Sequence, residues 1–99
     1  MIAEIQVLPA PPGAAGDRWS HVDAAIAVVV RSGLTHEVGP LGTTFEGSPD
    51  AVWATLRAAH EATLADGAES VVSVVKILQG GDASPTMHEL TAAHRPARG

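Results

Sequence analysis

Ser32-Gly33-Leu34-Thr35-His36-Glu37-Val38-Gly39-Pro40-Leu41-Gly42-Thr43-Thr44-Phe45-Glu46-Gly47 is the stretch that decides the fold. Residues 34–39 and 43–46 are two short runs of strand material. Pro40, Leu41 and Gly42 between them supply turn chemistry, so the stretch predicts a β-hairpin. Side chains alternate between the two faces of a strand. Phe45 therefore points one way, and Thr44 and Glu46 the other.

The same order of elements flanks the hairpin on both sides. Upstream, Trp19, Val22, Ile26, Val29 and Val30 recur three or four apart, which predicts an apolar helical face over 17–32. Asp17 is placed as its N-cap, Gly33 as its left-handed terminator, and Arg31 near its negative end. Before that helix, residues 2–8 alternate as a strand that Pro9 ends, and a loop rich in Pro, Gly and Ala runs to Gly16. Downstream, Ser48, Pro49 and Asp50 form a helix start: a capping hydroxyl, proline in the first turn and an acid beside it. Val52, Trp53, Leu56, His60, Thr63 and Leu64 continue at helical spacing until Gly67. Residues 71–78 are valine-rich and predict a buried strand. Gly80, Gly81 and Asp82 break it, and Ser84 and Pro85 open a short helix with Met87 and Leu90 that Pro96 limits.

The order is β-α-β-β-α-β plus a tail. That is the α+β ferredoxin-like arrangement, a four-stranded antiparallel sheet with two helices on one face. The first and third strands are central. The expected division is a ferredoxin-like ligand-binding domain over 1–79 and a C-terminal tail with a short helix over 80–99.

Composition narrows the function. The chain has 99 residues, enough for one domain with a modest core. Aromatics are only 3% of it, so the core is aliphatic. There is no cysteine, which removes disulfides and thiol chemistry and fits a cytoplasmic setting. The formal net charge of −5, with Lys and Arg scattered, argues against nucleic acid and for a cationic partner. No segment approaches the roughly 20 apolar residues of a membrane helix, so no membrane association is expected.

Parity then assigns the sheet faces. Ala3, Ile5, Val7 and Phe45 suit the helix side, and Leu34, His36 and Val38 turn inward. Glu4, Gln6, Thr35, Glu37, Thr44 and Glu46 turn to the bare side. In the last strand Val72, Val74, Lys76 and Leu78 share that bare side. Carboxylates on an apolar sheet cost desolvation unless partnered, which marks a binding surface. The exposed valines mark self-association as a homodimer or homotetramer.

Met1-Ile2-Ala3-Glu4-Ile5 with Pro9, Ser32-Gly33-Leu34 with Glu37, and Pro40 with Gly42-Thr43-Thr44-Phe45-Glu46-Gly47 together resemble the small thiamine-binding proteins of the YkoF-like superfamily. Ala59-His60-Glu61-Ala62 and Lys76-Ile77 resemble them as well. The resemblance covers roughly residues 1–78. It implies a ferredoxin-like fold, homo-oligomers up to tetramers, and binding of thiamine or its hydroxymethylpyrimidine part. The chain departs from the family after Ile77, where Leu78-Gln79-Gly80-Gly81 replaces a charged stretch and the following helix is short.

The chemistry of that ligand suits the residues. A carboxylate accepts from an exocyclic amine, a Thr hydroxyl serves ring nitrogens, and acidic groups favour a thiazolium cation. Glu4, Gln6, Thr43, Thr44 and Glu46 are the leading candidates, followed by Glu37 and Lys76. Lys76 is also a ready salt-bridge partner for Glu4.

Other signals carry less. His21, His36, His60, His88 and His94 sit on different elements without ligand spacing, so no metal site is expected. His60 suits a helix face at the core boundary, and the turn at 39–44 lacks the Lys of a phosphate loop. Ser20, Ser32, Ser48 and Ser73 show no partner base, so no catalytic residue is assigned. Trp19 and Trp53 are expected as core anchors. The expected function is non-catalytic binding of thiamine or its hydroxymethylpyrimidine part by a cytoplasmic homo-oligomer, with no resident cofactor. The alternative is a structural or regulatory oligomerisation module whose polar face only specifies assembly.

Overall fold

The computed structural model describes residues 1–81 and 84–95. Asp82 and Pro96, assigned above as a strand breaker and a helix limit, lie outside the described residues. The elements run β1 (Ile2–Ala10), α1 (Ser20–Arg31), β2 (Thr35–Val38), β3 (Thr43–Glu46), α2 (Pro49–Ala65), β4 (Ser70–Leu78) and α3 (Met87–Thr91), followed by a single 3-10 turn at Ala92–His94. The strands form one antiparallel sheet in the order β2-β3-β1-β4. This is the ferredoxin-like α+β fold, with β1 and β3 central.

Register carries the packing. Ala3 pairs with Phe45 on one side and with Ile77 on the other, so those three share a face. Ala3, Ile5 and Phe45 meet Ala25 and Val29 of α1 and Val52, Leu56 and Ala59 of α2 in one buried cluster. Both helices therefore cover the same face. The opposite, outer face has no helix over it and carries both polar residues and the apolar Leu8, Val72, Val74 and Leu78.

α2 begins as its sequence dictates. Ser48 Oγ accepts from the Ala51 amide at 3.2 Å, and Pro49 fills the first turn, where a missing N–H costs nothing. Its buried face is Val52, Thr55, Leu56, Ala59 and Thr63. Trp53 lies about 100° around the helix from Val52, and it is 53% exposed. It is not a core anchor.

α1 differs from expectation in two ways. It starts at Ser20, not at Asp17, and no side chain caps it. The Pro12 carbonyl instead accepts from the His21 and Val22 amides at 3.1 and 3.4 Å, so the preceding loop satisfies the first turn. The buried residues are His21, Ala25 and Val29. Trp19 is 52% and Val30 49% exposed, so the expected apolar face is rotated toward smaller residues. Close packing of α1 on both the sheet and α2 favours Ala25 at the contact. At the other end Gly33 has φ +76°, the left-handed conformation that closes a helix without steric cost.

β4 is not the buried strand that its valines predict. Among the described residues it pairs only with β1, and Val75 and Ile77 stay 40% and 39% exposed although they face the helix side. α2 touches this strand through His60 and Ser73 but leaves Val75 and Ile77 partly open.

Phe45 is fully buried at 0% exposure. Phe45→Ala is expected to cost about 3–5 kcal/mol, and Trp53→Ala no more than about 0.5 kcal/mol, both read from urea unfolding midpoints. Equal costs would contradict the assigned helix faces.

Candidate functional site

On the outer face, register lines up Glu37, Thr44, Glu4 and Lys76 across all four strands. The next row is Thr35, Glu46, Ile2 and Leu78. Neighbours within a row stand about 4.8 Å apart along the sheet. Glu37 and Glu4 thus flank Thr44, and Gln6 and Val74 share the row beyond.

These acids are not bare. Lys76 Nζ lies 3.8 Å from Glu4 Oε1, with the lysine side chain 81% exposed. Arg95 Nη2 donates to Glu37 Oε2 at 2.7 Å, and Arg95 Nε donates to Thr91 Oγ1 at 3.0 Å. The Met87 amide donates to Glu46 Oε2 at 2.9 Å, and Met87 itself is buried. The C-terminal segment therefore lies on the outer face at its β2–β3 side. Sequence reasoning had no access to these contacts, which join residues 41 and 58 positions apart.

A second feature adjoins the row. β1 continues to Ala10, but β3 pairs with it only from Ile2 to Ile5. Beyond Ile5 the β3-side edge of β1 has no strand partner among the described residues. The 39–42 turn and α1 close around this edge and leave a cavity of about 490 Å³, within the range of small-molecule sites. Its lining is mostly apolar, with Ile26, Leu41 and Trp19 among the side chains, and the polar residues are Gln6, Thr43 and Asp23. Thr43 lies opposite Ile5 and is 4% exposed. Gly42 also lines the cavity, and a Cβ placed there would stand 3.2 Å from Glu4 Cγ. Glu4 therefore packs beside Gly42, next to the cavity lining, and any larger residue at position 42 would make its side chain shift by a few tenths of an ångström.

The candidate residues thus divide. Gln6 and Thr43 belong to the cavity, and Glu4 stands beside its lining. Thr44 occupies the centre of the row, while Lys76, Glu37 and Glu46 hold ion pairs or the tail. Asp23 and Trp19 join the cavity without having been singled out for it. The one signal for Asp23 is a lone carboxylate inside the apolar run 22–30.

One pairing corrects the sequence reading. Ser73 does have a base nearby: His60 Nδ1 and Ser73 Oγ are hydrogen-bonded between α2 and β4. The pair is partly buried, lies outside the cavity, and no third side chain bonds His60 Nε2 among the described residues. Also among the described residues, no three His, Asp or Glu side chains gather as a metal site would require.

Fold and cavity define a ferredoxin-like α+β protein with a small-molecule-sized slot beside an acidic sheet face. Residues 3–95 match the family described as thiamine-binding protein, and the chain belongs to that family. A UPF0045 protein of Synechocystis sp. is 33% identical over 89 residues, covering 90% of this chain and 72% of that protein. A UPF0045 protein of Clostridium perfringens is 38% identical over 56 residues, or 57% of this chain, and the match spans 59% of the clostridial protein's length. Among solved structures, a domain of unknown function (DUF77) from Bacillus cereus superposes with a TM-score of 0.81 at 32% identity, covering 96% of this chain and 91% of that one. A Thermotoga maritima protein provisionally described as serving thiamine biosynthesis or salvage superposes with a TM-score of 0.75, covering 96% of this chain and all of its own; at 21% identity it shares the fold alone.

Glu46→Gln exchanges a charge-assisted contact on the Met87 amide for a neutral one. A difference of about 1 kcal/mol is expected to speed hydrogen exchange of that amide about five- to tenfold. Unchanged exchange would show that Glu46 does not hold the tail.

Proposed function

We propose that this chain is a non-catalytic binding protein for thiamine or its hydroxymethylpyrimidine part, working as a cytoplasmic homo-oligomer. The observation that carries the reading is the slot at the unpaired edge of β1, with Gln6 and Thr43 in it and Glu4 beside its lining. Apolar walls suit a flat aminopyrimidine ring, and the amide and hydroxyl supply both donors and acceptors to its nitrogens. Glu4 meets the exocyclic amine or the cationic ring. Thr44, with Glu37 on its other side, continues the acidic surface beyond Glu4. Membership of a family described as thiamine-binding supports the ligand class.

The homo-oligomer is supported by apolar side chains on the outer face. Leu8, Val72, Val74 and Leu78 are 48%, 63%, 47% and 44% exposed on β1 and β4. β4, nine residues long, also has one backbone edge without a strand partner among the described residues, which a second copy would cover. The absence of cysteine supports a reducing compartment. The second reading, a structural module, draws on the ion pairs of Glu4 and Glu37, because neutralised acids suit an interface as well as a ligand site.

Calorimetry with thiamine and with the free pyrimidine alcohol tests the leading reading. Glu4→Gln is expected to weaken thiamine binding about tenfold to a hundredfold, the worth of a charged hydrogen bond. Wild-type protein that binds neither compound at millimolar concentration leaves the structural module. Sedimentation at micromolar concentration is expected to show a dimer or tetramer, and Val74→Lys to dissociate it; a monomeric wild type contradicts the assembly.

A further inference from the structure

The slot beside β1 carries one formal charge. Of its lining residues only Asp23 is acidic, and none is Lys, Arg or His. That carboxylate belongs to none of the ion pairs among the described residues. The basic residues closest to it in sequence are engaged elsewhere. Arg18 lies over the Trp19 ring, 5.1 Å from its centroid, and His21 Nδ1 is hydrogen-bonded to Asp66 Oδ2 at 2.9 Å. Asp23 thus differs from Glu4 and Glu37, each of which holds a cation of the chain. It is exposed, so its charge costs no desolvation until a ligand covers it. Its place along the slot follows from the direction of α1. β1 and β2 both pair antiparallel with β3 and so run the same way, which sends α1 back along β1. Trp19 and Asp23, at the start of α1, therefore stand toward Val7 and Leu8. Thr43, opposite Ile5, stands at the other end. Ile5 to Leu8 spans about 10 Å of strand, the reach of two linked rings.

We propose that Asp23 is a specificity-determining residue, the counter-charge for a positively charged heteroaromatic ring at the Trp19 end of the slot. The inference rests on the binding reading above and fixes the direction of the ligand within it. The amine-bearing ring lies toward Gln6, Thr43 and Glu4. The cationic ring lies toward Asp23, with the Trp19 indole beside it. An aromatic wall favours a cation, and apolar walls reduce the screening of the carboxylate by water. The two acids then have different tasks. Glu4 serves a group that charged and neutral ligands share, and Asp23 serves only the charged one. An acid in the first turn of a helix also offsets the helix dipole. That role would move stability without telling one ligand from another.

The test compares wild type, Asp23→Asn and Asp23→Glu by calorimetry with thiamine and with the neutral pyrimidine alcohol. Asp23→Asn is expected to weaken thiamine about three- to tenfold and the alcohol by less than about twofold, a loss somewhat above that of a fully exposed ion pair. Asp23→Glu keeps the charge and is expected to recover most of the loss. Equal losses for both ligands, no loss for thiamine, or a Glu variant as weak as the Asn variant overturns the inference and leaves the binding reading standing. A second measurement uses Trp53→Phe, which leaves Trp19 as the sole indole. Saturating thiamine is expected to quench its emission. Unchanged emission places the cationic ring elsewhere and overturns the proposal. Where thiamine binds and the alcohol does not, the Glu variant and the Trp19 emission decide. Wild type that binds neither compound at millimolar concentration ends the binding reading and this inference with it.

Discussion

The alignment of Ala3 with Phe45 and Ile77 sets almost everything else in this molecule. It commits the odd residues of β1 to the helices and the even ones to the outer face. A slip of one residue would exchange Ile5 for Glu4 beneath α1 and α2, placing a carboxylate in an apolar cluster. Burial of Phe45 among Ala25, Val29 and Val52 opposes that slip strongly. The same alignment brings Glu37, Thr44, Glu4 and Lys76 into one row, so the polar surface is a consequence of core packing and not a separate construction.

The slot follows from unequal strand lengths. β1 and β4 are nine residues long, while β2 and β3 are four. The long pair outruns the short hairpin, and the free edge of β1 is left beside the 39–42 turn. α1 spans the gap with Ala25 and Ile26, and Trp19 stands at its start. Small residues at the helix–sheet contact bring α1 close to β1, while the missing length of β3 leaves space further along. Exposure of Trp19 becomes intelligible on this basis: it borders a cavity and does not fill the core.

Much of the fold was legible because period two and period 3.6 are local signals. The alternation in β1, the turn at Pro40 to Gly42 and the Ser48 cap each depend on neighbours within a few residues. Other features depend on distance. Asp17 carries the chemistry of an N-cap, but the Pro12 carbonyl takes that place through a loop closure that no short motif reveals. Trp53 satisfies helical spacing as well as Val52 does, and only the position of the sheet decides which is buried. The valines of β4 alone suggest burial, whereas the element order, with the first and third strands central, places that strand at the edge. For the candidate site, the face of Glu4, Thr44 and Glu46 was readable from parity. The slot was not, because it is the absence of a strand partner along part of β1. His60 and Ser73 lie on different elements, and their meeting required the packed fold.

The charge pattern of the outer face carries the last step. A chain of net charge −5 has acid to spare, yet it places Lys76 and Arg95 at the two acids that flank Thr44. Without those cations, Glu37 and Glu4 would repel each other across the row, and any assembly burying the face would have to desolvate both. With them, the row is close to neutral and compatible with an apolar surround. Both pairs stay exposed to water and are screened by salt, so each adds little to stability on its own, and what they change is the charge that the sheet face presents.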